Sequence, residues 1–239
     1  MPSAPLIEER VAALDWRSLA ASLDEWGYAL TGPLLDPGEC RDLIGLYGED
    51  GRFRSRVEMA RHGFGLGDYA YFRDPLPPPV SALREALYER LSPLANRMVR
   101  ALGREARYPA SQRDYRAVCA AAGQTKPTPL LLRYGPGGFN CLHRDLYGEL
   151  AFPFQATFLL SDADRDFTGG EFLLVENRPR QQSRGQAVRL ARGEAIVFPV
   201  NERPVPSKRG FSRAQMRHGV SRVHSGERYT LGIIFHDAA

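Results

Sequence analysis

The spacing of apolar positions changes character near residue 125. Before that point the chain reads mainly as helices. Asp15 is placed to cap a helix from Trp16 to about Trp26, which Gly27 helps to end. Asp36-Pro37-Gly38-Glu39 joins an N-cap, a proline at the first helical position and a carboxylate at the third. Leu43, Leu46 and Tyr47 then follow at helical spacing. After Pro77-Pro78-Pro79, the stripe Val80, Leu83, Leu87, Leu91 and Leu94 predicts a longer helix, and another is expected over Ser111–Ala122.

Between these helices, Arg61–Phe72 is rich in glycine and aromatic residues and has no helical period. A loop and strand are expected there, belonging to the helical half and outside the strands that carry the chemistry, either bordering a substrate entrance as a lid or forming a surface hairpin packed by its own aromatics. Tyr69, Tyr71 and Phe72 are its candidate substrate contacts. Its glycines are no nucleotide-binding fingerprint, because no strand–turn–helix pattern surrounds them.

From Lys126 onward the pattern shortens to β-rich runs between glycine and polar turns: Leu130–Tyr134, Phe152–Leu160, Gly170–Val175, Ala187–Leu190, Ala195–Pro199, His218–Val223 and Tyr229–Phe235. Short strands without intervening helices predict an antiparallel sandwich or barrel. The expected organisation is a helical extension over 1–125 and a β core over 126–239, packed as one integrated α+β domain, mainly β in its core.

The 239 residues suffice for one such domain, and 43% hydrophobic with 25% charged residues is ordinary for a globular protein. No apolar run reaches the length of a membrane span. The start, MPSAPLIEER, lacks the basic and apolar regions of a secretory signal. Three widely spaced cysteines, Cys40, Cys119 and Cys141, make neither a disulfide framework nor a CxxC metal site, so a reducing cytoplasm is expected. The net charge of +4 permits an anionic partner, nucleic acid included, without selecting one.

The candidate chemistry lies at Cys141-Leu142-His143-Arg144-Asp145. In an extended segment, alternate residues share a face, so His143 and Asp145 point into one site and Cys141 shares that face. A plain buried cysteine is the expectation for Cys141. A second histidine would complete two histidines and one carboxylate on one face of an iron, leaving three adjacent positions open. His218 and His224 are the candidates, and Arg228 discriminates between them as the cationic fork for the distal carboxylate of a keto acid. Ser225-Gly226 reads as the turn of a hairpin with arms Arg217–Val223 and Arg228–Phe235. His218 would then lie roughly 15–20 Å along the strand from Arg228, leaving room for the acid, whereas His224 would lie almost opposite it. The geometry therefore selects His218.

His143-Arg144-Asp145, Thr168-Gly169-Gly170-Glu171-Phe172, Gly193–Pro199 and His218 through Arg228 together resemble the successive landmarks of the 2-oxoglutarate/iron(II) dioxygenases. The nearer resemblance is to a bacterial branch of oxygenases acting on damaged, alkylated DNA, and it covers nearly the whole chain, densely after Lys126. One departure stands out. AlkB-type demethylases usually place a pair of arginines farther beyond the last histidine, and this chain has the single-arginine spacing of prolyl-hydroxylase-like members. The resemblance implies a double-stranded β-helix, or jelly roll, with the helices buttressing the larger sheet. Phe152, Phe154 and Phe158 would then pack beneath helices, while Gln155 and Thr157 face the barrel interior. Tyr134 and Gln155 become candidate cosubstrate contacts beside Arg228.

The implied cofactor is Fe(II), with 2-oxoglutarate and O2 as cosubstrates and decarboxylation to succinate coupled to hydroxylation of a C–H bond. Two substrate classes follow. An alkylated base would be flipped into the pocket against Tyr69, Tyr71 and Phe72, with Arg52, Arg54, Arg56 and Arg61 either on phosphates or forming only a solvated basic face. A small metabolite or a protein side chain is the alternative. A cupin-like binding module without turnover is a third reading, against which the triad and its arginine argue.

Overall fold

Side-chain caps set three helix starts where the pattern places them. The computed structural model of the protein describes residues 5–105, 107–208 and 210–239. After a short helix α1 (Ile7–Ala12), the Asp15 carboxylate accepts from the Ser18 amide and opens α2 (Trp16–Trp26). Gly27 closes that helix in the left-handed conformation, at φ 78°. Asp36 accepts from the Gly38 and Glu39 amides, and Glu39 returns a bond to the Asp36 amide, starting α3 (Pro37–Gly45). The apolar stripe forms α4 (Pro78–Ala101), and Ser111 caps α5 (Gln112–Ala121). Among the described residues no helix is long and apolar enough to cross a membrane.

The first half also holds four strands: β1 (Ala29–Pro33), β2 (Phe53–Glu58), β3 (Gly65–Leu66) and β4 (Asp68–Phe72). The second half adds β5 (Leu130–Tyr134), β6 (Phe139–His143), β7 (Phe154–Leu159), β8 (Phe167–Gly169), β9 (Phe172–Asn177) and β10 (Arg184–Val188). It ends with β11 (Glu194–Pro199), β12 (Glu202–Ser207), β13 (Gly210–Val220), β14 (Val223–Gly226) and β15 (Arg228–Ile234). A seven-stranded sheet runs β1-β11-β7-β15-β5-β4-β2. A six-stranded sheet runs β10-β9-β13-β6-β3 with β12 on β13, and β14 pairs with β8. The named pairings are antiparallel. This is the expected jelly-roll core.

Alternation along the larger sheet separates two apolar layers. On β7, Phe154, Ala156 and Phe158 face the helices, joining Phe152 and the α4 residues Leu83, Leu87, Tyr88 and Leu91 in one buried cluster. Each such large side chain contributes about 1.5–3 kcal/mol on burial. The alternate residues Gln155 and Thr157 line a cavity between the sheets, as anticipated. Phe172, Leu174, Phe198, Met216 and Val220 pack in that same inter-sheet layer.

The structure corrects two expectations about organisation. Residues 61–72 do not lie outside the barrel strands: β3 pairs with β6 in one sheet, while β4 sits between β5 and β2 in the other. Nor do the segments around Ser225-Gly226 form a hairpin. The chain leaves β13 in the smaller sheet, passes through β14 against β8, and joins the larger sheet as β15 between β5 and β7. A crossing between sheets preserves the same alternation as a hairpin, so the pattern does not distinguish them.

Candidate metal centre and cavity

Three strands of the smaller sheet converge at His218. Its backbone pairs with His143 of β6 on one side and Leu174 of β9 on the other. His143 ends β6, and its Nδ1 donates to the Cys141 carbonyl at 2.8 Å in the tautomer that leaves Nε2 free for a metal. Asp145 follows two residues later, buried, with Oδ1 3.5 Å from His143 Nε2 and Oδ2 3.3 Å from His218 Nε2. One ligand atom from each of His143, Asp145 and His218 lies within 4.8 Å of the others.

Electrostatics reinforce the triad. Burial alone would raise the Asp145 carboxyl, but hydrogen bonds and charge from both histidines outweigh it and hold the group well below the usual range. Burial and the neighbouring His143 push His218 down. Burial also lowers His143, but Asp145 outweighs it and leaves the group raised. One carboxylate held ionised between two imidazoles is a donor set that suits a divalent iron.

A cavity of about 380 Å³ opens over the triad. Arg228 of β15 lines it, buried, beside Tyr134, its cross-strand partner on β5. The Arg228 Nε and Nη1 atoms find no hydrogen-bond partner among the described residues. Burial lowers this guanidinium to about 10, so it stays protonated at neutral pH. A buried, charged and unpartnered fork is costly unless an anion completes it. A keto-acid carboxylate fits that requirement, and the triad fits its metal-binding end.

Gly170 makes room for the fork. A Cβ there would lie 2.8 Å from Arg228 Cδ, and the residue adopts φ +66°. Gln155, whose buried Oε1 is also unpartnered, lines the cavity with Thr157 and Thr230. The Tyr134 hydroxyl accepts from Asn140 Nδ2 at 3.3 Å, and burial pushes its phenol up to about 12.

The expected substrate residues divide. Tyr69 and Tyr71 line the cavity and pack edge to face at 5.4 Å. Phe72 does not reach it. Being one residue out of phase on β4, it points to the helical side, stacks on Phe53 at 4.9 Å and belongs to the core beneath the helices. Cys141 is exposed at the cavity mouth rather than buried. A register shift in β6 places Asn140 and His143 opposite Val220 and His218, so strict alternation fails between them. His224 stands on β14, where its ring lies against Gly169. The arginines expected on phosphates have partners within the chain. Arg52 pairs with Glu49, Arg56 with Asp50 and Arg61 with Glu58, while Arg54 donates to the Pro127 carbonyl and lies over the Tyr71 ring.

Tyr147 escaped sequence reasoning. Its hydroxyl donates to Asp145 Oδ1 at 2.8 Å and accepts from Tyr71 at 3.0 Å. Burial and the Asp145 charge push its phenol far up, so it remains a donor. Only its position two residues beyond the ligand hinted at a role.

Comparison with known proteins places this architecture. A sequence-family model described as "Oxygenase, catalysing oxidative methylation of damaged DNA" matches residues 67–238. Two Mycobacterium tuberculosis proteins, MT2286 of strain CDC 1551 and Rv2227 of strain H37Rv, are 53% identical over 168 residues, covering 70% of this chain and 72% of each relative. A Pseudomonas putida prolyl-4-hydroxylase superposes with a TM-score of 0.55 at 15% identity, covering 94% of this chain and 99% of its own. A 2-oxoglutarate/iron(II) oxygenase-family oxidoreductase from Burkholderia pseudomallei superposes with a TM-score of 0.50 at 19% identity, covering 94% and 93%. The chain therefore belongs to the oxygenase family whose model it matches, built on the jelly-roll fold of the 2-oxoglutarate- and iron(II)-dependent oxygenases.

Proposed function

We propose that this oxygenase binds Fe(II) through His143, Asp145 and His218, holds 2-oxoglutarate by its distal carboxylate on Arg228, and oxidises a C–H bond presented in the cavity. The observation that carries this reading is the buried, unpartnered guanidinium of Arg228 lining the same cavity as the triad. When bound, iron with 2-oxoglutarate and dioxygen supplies oxidative decarboxylation to succinate and carbon dioxide coupled to hydroxylation. The chain's part is to orient and to exclude water. Arg228 supplies the charge-assisted fork beside Tyr134, Gln155 lines the same cavity farther along β7, and Tyr69 and Tyr71 form a wall suited to a planar group.

The family description supports a damaged base as the substrate. Hydroxylation of an N-methyl group would yield formaldehyde and the free amine. A second reading, oxidation of a small metabolite or a protein side chain, is favoured by a specific observation. Arg52, Arg54, Arg56 and Arg61 are already engaged within the chain, and Phe64, Leu142 and Leu146 at the mouth are exposed and apolar. Succinate and formaldehyde release should be measured with N-methylated single-stranded oligonucleotides, matched duplexes and a panel of aromatic metabolites. Formaldehyde in step with succinate on the oligonucleotides supports the base. Stimulation by a metabolite alone rejects it in favour of the second reading.

A further inference from the structure

We propose that Tyr147 is a positioning residue for Asp145 and that Tyr71 holds it in place. This rests on the triad being the metal site. The two carboxylate oxygens of Asp145 have different surroundings. Oδ2 lies 3.3 Å from His218 Nε2, whereas Oδ1 lies 3.5 Å from His143 Nε2 and accepts the Tyr147 hydroxyl at 2.8 Å. A carboxylate can serve a metal through one oxygen or both. A neutral donor on Oδ1 occupies lone-pair density there and favours ligation through one oxygen, which keeps coordination positions open for small molecules.

Tyr147 needs outside support, because it lies in a stretch without helix or strand. Gln124 Nε2 donates to its carbonyl at 3.1 Å, anchoring its backbone. Tyr71 of β4 donates to its hydroxyl and packs edge-on at 6.2 Å and 87°. Arg54 of β2 lies 4.5 Å from the centre of the Tyr71 ring. Two segments distant in sequence, at Gln124 and Tyr71, thus converge on Tyr147, and Arg54 packs on Tyr71 behind it. Tyr71 also lines the cavity, so a chain of two hydroxyls joins the cavity wall to the metal ligand.

The test is anaerobic titration of the full chain with Co(II), following calorimetric affinity and the visible absorption of the metal, which responds to coordination number. Tyr147→Phe keeps the ring and removes the donor. It should weaken Co(II) binding by roughly tenfold, at the lower end of outer-shell effects, and alter the visible spectrum. Tyr71→Phe should shift both in the same direction by less. A Tyr147→Phe protein whose metal-free melt matches wild type, yet whose affinity and spectrum are unchanged, overturns the proposal. Should Tyr147→Phe fail to fold, Tyr71→Phe decides, and wild-type affinity and spectrum there overturn it equally. Wild-type protein that binds no Co(II) instead rejects the metal-site reading beneath the proposal.

Discussion

Gly170 carries no side chain where Arg228 needs the space. An added Cβ would meet Arg228 Cδ at 2.8 Å and Val223 Cγ2 at 3.0 Å, on a backbone at φ +66°. Gly170→Ala should therefore displace the fork and lower 2-oxoglutarate affinity by about tenfold or more, the scale of one charge-assisted contact. Left-handed strain would cost about 1–2 kcal/mol in addition. Anaerobic binding and a thermal melt check both, and unchanged 2-oxoglutarate affinity contradicts the role. At this scale the grouping of His143, Asp145 and His218, with Arg228 at the same cavity, was legible from residue type, order and spacing. Gly170, Asn140 and Tyr147 were not. Each lies against a neighbour that only the fold supplies: Arg228, Tyr134 and Asp145 respectively.

At the scale of elements, the helices were readable because their signals are local. Asp15, Asp36 and Ser111 sit beside the amides they cap. The strands β1 to β4 were less so, since pairing completes them: Ala29 meets Val197, and Tyr71 meets Leu130. The end of β15 and the segment after it tie the helical layer to the larger sheet. Arg84 of α4 donates to the Ile234 carbonyl and pairs with Asp237, and Gln112 of α5 donates to the Phe235 carbonyl. His236 lies among them with its Nδ1 accepting from the Phe152 amide, and burial, with the Arg84 charge, lowers it to about 4. A lowered folded-state value means that the unfolded chain takes up a proton first. Stability should fall as pH drops through the window from about 6.5 to about 4. His236 alone accounts for about 2 kcal/mol of loss between pH 7 and pH 5 on that basis. His236→Gln should flatten the dependence, as measured by denaturant unfolding at both pH values; a variant with the wild-type slope contradicts it.

On the scale of the whole molecule, two antiparallel sheets bring His143 and His218 of the smaller sheet, Asp145 just beyond β6, and Arg228 of the larger sheet to one cavity. His218, not His224, stands with His143 and Asp145, although the hairpin distance that singled it out does not hold: β13 carries His218 in the smaller sheet and β15 carries Arg228 in the larger. The barrel's two-sided wall, not separation along a hairpin, makes room for a ligand between them. The most direct test of this arrangement is anaerobic titration of 2-oxoglutarate with and without Fe(II), for wild type, Arg228→Gln and Asp145→Ala. Wild-type binding should depend on the metal. Arg228→Gln should retain iron while binding the acid about ten- to a hundredfold more weakly, from a contact worth roughly 1.5–3 kcal/mol. Asp145→Ala should lose the metal and, with it, the metal-dependent binding. Wild-type affinity for 2-oxoglutarate that is equal without iron, or unchanged in Arg228→Gln, would contradict it.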